Sequence, residues 1–164
     1  MTEFQIRPAV PSDANPITQI ESETAAALGH APVNAAKRLS FWQEAIEFGE
    51  PLLQVAVSGD AVVGFVGYDR CRDPRTPPTT GEIWAIHVRG THRGQGVGLA
   101  LWDAAREALI DEGCTRVSIW IEIASERALR FHELAGFKRD MPSLRTVARG
   151  KRRIEEIRLR RALT

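Results

Sequence analysis

The segment Arg93-Gly94-Gln95-Gly96-Val97-Gly98 has the residue types of an anion-binding loop. It lies between a strand-like segment that ends at Val88 and a long run rich in leucine and alanine, which predicts a turn entering a helix. The first amides of a helix lack intrahelical acceptors, and the helix dipole adds partial positive charge there. Glycine lets an anion approach the backbone. The segment therefore predicts a phosphate or diphosphate site, with Arg93 at its rim.

Two common phosphate-binding motifs do not fit this loop. A Walker loop ends in Gly-Lys-Ser/Thr, and no such triplet occurs here. A dinucleotide fingerprint needs a further glycine where Leu99 stands. It also needs an acidic ribose partner after the next strand, where Ile123-Ala124 stand instead.

The elements that must position the loop follow from hydrophobic periodicity and from turn and cap residues along the chain. Their order is β-α-α-β-β-β-α-β-α-β-β, which predicts an α/β (α+β) fold in a single domain over residues 1–164. The predicted elements are a strand over Phe4–Ala9, a helix with Ser12 or Asp13 as N-cap, a helix from about Asn34 to Phe48, strands over Leu53–Val57 and Val62–Tyr68, a proline-rich loop over Arg70–Gly81, a strand over Glu82–Val88, a helix over Val97–Glu112, a strand over Val117–Ile123, a helix over Ser125–Leu134 capped by Ser125, and two strands from Phe137 to Arg161 that join near Arg149-Gly150.

Composition names no partner. The chain has 164 residues, 43% hydrophobic and 26% charged, with a net charge of +1. No apolar run approaches the ~20 residues of a membrane span, and the first residues do not resemble a signal peptide. Cys71 and Cys114 are isolated, as in reduced cytosolic proteins, and the four histidines lack metal-ligand spacing. We therefore expect a cytoplasmic protein with no membrane partner and no metal.

The pattern Arg93-x-x-Gly96-x-Gly98 resembles the diphosphate-binding motif of the GNAT N-acetyltransferase superfamily. The strand Glu82–Val88 resembles the family's fourth strand. The segment Ser125–Phe137 resembles its last helix with the apolar-Gly-Phe ending. The order of elements matches from Phe4 to Arg160, so the resemblance covers nearly the whole chain.

This resemblance implies a mixed, mostly antiparallel sheet flanked by helices, with the fourth and fifth strands splayed apart. It implies acetyl-CoA as acyl donor, with pantetheine paired to the fourth strand and an amide near Ile86 polarising the thioester carbonyl. It also implies direct attack by the primary amine of an unidentified acceptor. The cofactor contacts carried over are Ile86, His87, Val88, Arg93, Gly94, Gln95, Gly96, Val97, Gly98, Leu99, Ser125, Ala128 and Phe131.

The same resemblance suggests how protons are handled. Glu82 opens the fourth strand, where many relatives keep a general-base glutamate, although a polar residue opening a strand is equally consistent. His132 occupies the position of the family's usual tyrosine and is the candidate general acid, or else a packed histidine. Ser125 replaces the usual asparagine, and Gly90 the usual proline. His30 and Trp84 are candidate acceptor contacts, with loop and packing roles as the alternatives.

Other functions remain open. A non-catalytic acyl-CoA sensor or scaffold would also explain the missing tyrosine. The basic C-terminal region favours a solvated face or a homodimer contact over nucleic-acid binding. Trp102 and Trp120 are predicted to belong to the core. The basic residues of that region are Arg145, Arg149, Lys151, Arg152, Arg153, Arg158, Arg160 and Arg161, which stand against only Glu155 and Glu156.

Overall fold

The computed structural model describes residues 3–31, 34–149 and 151–163, and within them it contains seven strands and four α-helices in the predicted order. Gly150 and the side chain of Arg149, at the predicted connection of the last two strands, lie outside the described residues. The elements are β1 (Gln5–Pro8), α1 (Ala14–Ala27), α2 (Ala35–Phe48), β2 (Leu52–Ser58), β3 (Ala61–Arg70), β4 (Thr80–Val88), α3 (Val97–Asp111), β5 (Arg116–Glu122), α4 (Glu126–Leu134), β6 (Lys138–Arg149) and β7 (Arg152–Ala162).

Local sequence chemistry explains both ends of α2, whereas the expected N-caps of α1 and α4 make no capping hydrogen bond. The side chain of Asn34 accepts a hydrogen bond from the amide of Lys37 and caps α2, which ends at Gly49 with φ of +68°. Asp13 is the N-cap of α1, but its carboxylate binds the amide of Val10 and the guanidinium of Arg7 rather than the helix. Ser125 likewise stands at the N-cap of α4 without a capping hydrogen bond.

Contact density divides the chain into two compact units. The first unit comprises Met1–Asp69 and Trp84–Ala108, and its strands follow the order β1-β2-β3-β4. Both β1 with β2 and β2 with β3 pair antiparallel. The core of the first unit joins residues of α1, α2, β2 and β3, and each large side chain contributes about 1.5–3 kcal/mol by burial. Its buried residues are Ala14, Ile17, Ile20, Trp42, Ala45, Leu53, Val55, Val62 and Phe65.

The second unit comprises Arg70–Ile83 and Leu109–Thr164, with the strand order β4-β5-β7-β6. Here β4 and β5 pair in parallel, whereas β7 pairs antiparallel with both β5 and β6. Strand β4 begins at Thr80 rather than Glu82 because Thr80 and Gly81 already pair with β5. The proline-rich loop is therefore shorter than predicted.

The parallel register of β4 with β5 is short. Among the described residues it covers Thr80–Ile83 and Arg116–Ile119, whereas β4 itself continues to Val88. This early end of the ladder is the feature expected of splayed central strands. The fold class is the predicted one, α+β with a mixed, mostly antiparallel sheet.

Candidate functional site

The predicted anion site lies in the first unit. After β4, a short 3-10 turn over Gly90–His92 leads to Gly94 and Gly96, which have φ of +77° and +84°. Only glycine adopts such angles without strain. A Cβ built on either residue meets no protein atom within 4 Å, so the space in front of this backbone is open.

Helix α3 begins directly after these glycines. The amide of Ala100 donates to the carbonyl of Gly96 at 3.0 Å, the first bond of the helical ladder. The amides of Val97, Gly98 and Leu99 precede that bond, so the helix supplies no acceptor for them. With the dipole of a 15-residue helix behind them, these amides form a site that favours an anion over a cation or a neutral group. Arg93 is exposed beside them.

The end of β4 is packed tightly on β3. The amide of Arg89 donates to the carbonyl of Val63 at 2.8 Å. A Cβ on Gly64 would lie 3.0 Å from the carbonyl oxygen of His87 and 3.1 Å from Leu101, so a larger residue there would crowd the backbone of β4. This packing fixes the backbone of Ile86, His87 and Val88, the predicted pantetheine contacts.

His87 is a structural histidine by its surroundings. Its ring meets Phe65 edge-on at 5.5 Å. Burial lowers the pKa of His87 to about 4, with repulsion from Arg93 adding to the shift and attraction by Glu21 opposing it. The imidazole is therefore neutral at physiological pH.

His87 should make the protein sensitive to acid. Its pKa is about 4 in the folded chain and about 6.5 when unfolded, so the unfolded state binds the proton more readily. The contribution of His87 to the free energy of unfolding is thus fully present above pH 6.5 and is lost as the pH falls toward 4. We expect the free energy of unfolding of the wild type to fall between pH 7 and pH 4.5, as measured by urea titration. In His87→Phe the fall over the same range should be smaller by about 2.5 kcal/mol. Equal losses in both proteins would contradict this assignment.

His132, on α4 in the second unit, is buried at 3% exposure. Its Nδ1 lies 2.8 Å from the carbonyl oxygen of Ala128, so Nδ1 carries the proton and donates. The rings of Phe131 and Phe137 meet the imidazole edge-on at 5.0 and 5.2 Å. Burial lowers the pKa of His132, against the backbone hydrogen bond. In the neutral ring, Nε2 can therefore accept a hydrogen bond but cannot donate one.

Glu82 lines a cavity of about 690 Å³ in the second unit, large enough for a small-molecule ligand. Glu82 pairs with Ser118 across β4 and β5, and register partners share a face of a sheet. Trp120 is two residues beyond Ser118 and lies on the same face, where it is half-buried and lines the cavity. The expectation that Trp120 is a core residue is therefore wrong, whereas Trp102 is buried at 2% exposure as predicted.

The cavity contains residues that the sequence did not single out as functional. They come from β6 and β7, where the basic region suggested a solvated face or a homodimer contact. For Trp120 a signal was available in the sequence. It alternates along β5 with the apolar Ile119 and Ile121, which predicts that it faces the opposite side of the sheet from them. The lining residues are Cys71, Arg72, Asp73, Pro74, Arg75, Glu82, Trp120, Asp140, Ser143, Leu144, Arg145 and Arg158.

The remaining predicted residues divide between the units. Trp84, in the first unit, is 37% exposed and stacks on Phe41 with ring centroids 6.2 Å apart. His30 follows α1 in the same unit, and its amide donates to the carbonyl of Ala25. The structure thus groups Trp84 and His30 with the glycine loop in the first unit. It groups Glu82 with His132 and the α4 residues Ser125, Ala128 and Phe131 in the second.

Two other classes of site do not occur in residues 3–31, 34–149 and 151–163. No group of three or more His, Cys, Asp or Glu side chains there is arranged to hold a metal ion. No helix in this part of the chain combines the length and apolarity needed to cross a membrane.

The acetyltransferase (GNAT) family model matches residues 17–137 of the chain. N-acetyltransferase 8 of Rattus norvegicus is 29% identical over 85 residues, which are 52% of this chain and 38% of that protein. Mycothiol acetyltransferase of Beutenbergia cavernae is 38% identical over 58 residues, 35% of this chain and 20% of that protein. The matched segments thus span less than two fifths of these curated relatives.

Solved structures share the fold along nearly the whole chain. An N-acetyltransferase from Staphylococcus aureus Mu50 superposes with a TM-score of 0.79 at 18% identity, covering 99% of this chain and 100% of that one. The Salmonella typhimurium protein yncA, solved with its cofactor acetyl-CoA, gives a TM-score of 0.75 at 21% identity over 98% and 94% of the two chains.

Proposed function

The chain belongs to the acetyltransferase (GNAT) family, and on that premise we propose that it transfers an acetyl group from acetyl-CoA to the primary amine of an acceptor. The observation that carries this proposal is the open, glycine-lined entrance of α3. A diphosphate needs converging amides and space beside the backbone, and Gly94 and Gly96 provide both. That the matched structure yncA was solved with acetyl-CoA supports the same ligand.

The residues fit the coenzyme as follows. The amides from Gly94 to Leu99 would hold the diphosphate, with the exposed Arg93 adding a charged contact. The backbone of Ile86 and Val88, fixed by the packing of β4 on β3, would hold the pantetheine arm. An amide aimed at the developing oxyanion, as proposed for Ile86, contributes roughly 3–4 kcal/mol to transition-state stabilisation. When bound, acetyl-CoA supplies the activated acetyl thioester.

Glu82 is the proposed general base. A carboxylate on the wall of a cavity can receive the proton that an ammonium acceptor must lose before it attacks, directly or through water. The amine nitrogen then forms a bond to the acetyl carbon as the carbon–sulfur bond breaks, and the nitrogen loses its second proton to solvent. Solvent takes up the proton from Glu82 and supplies the one that the thiolate gains.

His132 is left out of this proton path. A general acid must present a proton to the leaving group, but burial lowers the pKa of His132, and its one proton is held by Ala128. We propose that His132 packs α4 between Phe131 and Phe137. His132 is therefore expected to tolerate an apolar aromatic replacement in catalysis.

The test is a thiol-release assay on the intact chain with acetyl-CoA and a broad panel of primary amines. For at least one amine, we expect free thiol and N-acetyl product to form in equal amounts. Calorimetric binding of acetyl-CoA without release on any amine would replace transfer by the sensor role. If acetyl-CoA does not bind at all, the assignment of this coenzyme is wrong.

A nucleic-acid role gains no support from the basic hairpin. Three of its arginines are engaged by carboxylates, in the pairs Arg145 with Glu156, Arg158 with Asp140 and Arg160 with Asp140. Paired arginines leave less charge for a phosphate backbone.

A further inference from the structure

The segment Gly90–Gly96, which leads into α3, is fixed at its far end by apolar packing. Val97 and Leu101 of α3 are 1% and 0% exposed. Their side chains lie against Gly64 of β3, where an added Cβ would be 3.3 and 3.1 Å from them. Within the segment itself, every residue except His92 is exposed. The near end of the segment therefore needs a separate attachment to the sheet.

Arg89 provides that attachment. Its amide donates to the carbonyl of Val63 at 2.8 Å, and its Nε donates to the carbonyl of Val62 at 3.0 Å. The backbone and the side chain of one residue thus bind two successive carbonyls of β3. Arg89 directly precedes the 3-10 turn over Gly90–His92, so its position determines where that turn begins.

The guanidinium of Arg89 also binds α1. Its Nη1 donates to the carboxylate of Glu23, and its Nη2 lies 3.5 Å from Oε1 of Gln19. Gln19 and Glu23 are four residues apart in α1, so their side chains are neighbours on one face of the helix. The ion pair with Glu23 engages the charge of Arg89, which leaves the exposed Arg93 as the charged contact for a diphosphate.

Fixing this segment in advance matters for the binding of a diphosphate. A loop that becomes ordered only when the ligand arrives loses conformational entropy in the binding step, and this loss reduces the affinity. The segment contains Gly90, Gly94 and Gly96, and glycine loses more backbone freedom on ordering than other residues. The contacts of Arg89 restrict the start of the segment before any ligand binds. Part of the ordering therefore takes place during folding.

We propose that Arg89 is a positioning residue for the coenzyme: by binding β3 and α1 together, it holds the segment Gly90–Gly96 in the arrangement that receives the diphosphate. The inference rests on the proposed function and deepens it, because it assigns part of the affinity for acetyl-CoA to a residue outside the proposed diphosphate contacts. Arg89 takes no part in the chemistry. The affinity for the coenzyme therefore depends on Arg89, whereas the rate of transfer at saturation does not.

The experiment begins with Arg89→Met, which keeps the backbone bond to β3 but removes the side-chain contacts with β3 and α1. We expect calorimetry to show that this variant binds acetyl-CoA about 10-fold more weakly than the wild type. In thiol release, KM for acetyl-CoA should rise by the same factor while kcat stays nearly unchanged. Hydrogen exchange of the free protein should become faster in residues 90–96, because the segment is no longer held at its start.

Gly90→Pro provides a rescue by a different physical route. Arg89 has ψ of 142°, the extended conformation that a residue before proline adopts, and Gly90 is the first residue of the turn. A Cβ on Gly90 would lie 3.9 Å from the nearest atom, Nη1 of Arg93, so the turn has room for a side chain. Proline restricts φ without any contact to α1. The double substitution Arg89→Met/Gly90→Pro should therefore regain most of the lost affinity.

Two further variants separate positioning from general stability. Glu23→Gln removes only the ion pair, at a carboxylate that is 52% exposed, and should weaken the binding of acetyl-CoA about 2- to 5-fold even if Arg89→Met does not fold. Arg38→Met is the matched control, because Arg38 also pairs with a glutamate of α1, Glu21 at 2.8 Å, but projects from α2. It should lower the melting temperature and leave the affinity for acetyl-CoA unchanged.

The inference is overturned if Arg89→Met and Glu23→Gln bind acetyl-CoA as tightly as the wild type, if Arg38→Met weakens binding to the same extent, or if Gly90→Pro restores none of the lost affinity. Each of these results leaves the transfer reaction intact. Absence of acetyl-CoA binding by the wild type would instead contradict the proposed function itself.

Discussion

Gly96→Val is expected to weaken the binding of acetyl-CoA about 100-fold or more, or about 2.8 kcal/mol of binding free energy. The valine side chain enters the space in front of the α3 entrance, which no protein atom occupies within 4 Å. It would hold a diphosphate away from the amides of Val97 and Gly98. Titration calorimetry with acetyl-CoA and with free CoA measures the loss directly.

Backbone strain must be separated from obstruction, because Gly96 has φ of +84° and any side chain is strained there. Gly113 provides a matched control, with φ of +88° and likewise no atom within 4 Å of an added Cβ. Gly113 ends α3 far along the sequence from the glycine loop. We expect Gly113→Val to lower the melting temperature similarly but to keep the rise that saturating acetyl-CoA causes. If Gly96→Val also keeps that rise, the diphosphate binds elsewhere.

The glycine loop and the order of elements could be predicted because each depends on local chemistry. Glycines before a leucine- and alanine-rich run predict a helix entrance whatever the rest of the chain does. The boundaries of α2 follow in the same way from Asn34 and Gly49, whose side-chain cap and positive φ the structure shows. Such features depend only on residues that are neighbours in the sequence, so they can be predicted from a single sequence.

The cavity chemistry could not be predicted, because it depends on the pairing of distant strands. Arg145 faces Glu156 only because the register of β6 on β7 shifts between Asp140 and Arg145. Residues counted along an unbroken hairpin would have been paired differently. The basic region therefore suggested a solvated face or a homodimer contact, although Arg145, Arg158 and Arg160 are bound to carboxylates that come from several segments of the chain.

Trp120 shows a different kind of failure, because its signal was present. Strand β5 alternates, with Ile119 and Ile121 buried and Trp120 half-exposed between them. A tryptophan in an apolar strand was taken as core by residue type, whereas its position in the alternation assigned it to the opposite face. For His132 the sequence position suggested chemistry, but burial and its hydrogen bond to Ala128 could be known only from the fold.

Glu82→Gln is expected to lower kcat about 10²- to 10⁴-fold, the usual contribution of a general base, and to leave the affinity for acetyl-CoA unchanged. Glutamine keeps the shape of the side chain but cannot take up a proton at neutral pH. The affinity should be unaffected because the proposed diphosphate contacts, from Gly94 to Leu99, are backbone amides of another segment. Steady-state thiol release and calorimetry on the same preparation measure the two quantities.

The pH dependence distinguishes loss of a base from a distorted cavity. An alkylamine has a pKa near 10, so its neutral fraction rises about tenfold with each pH unit between 6 and 9. Without Glu82 the reaction can use only this neutral fraction. The ratio of the wild-type kcat to that of Glu82→Gln should therefore decrease steadily toward pH 9. A distorted cavity would give a defect that is the same at every pH. Unchanged turnover across this range would remove Glu82 as the base.

Two further variants complete the comparison. Glu133→Gln, on the exposed surface of α4, controls for the loss of a carboxylate and should change neither kcat nor its pH profile. His132→Phe should lower the melting temperature but nearly preserve kcat, because the neutral, buried imidazole has no proton to give at Nε2. A loss in His132→Phe as large as that in Glu82→Gln would instead place His132 in the proton path. Only then would the two residues share the acid–base chemistry that their positions in the sequence first suggested.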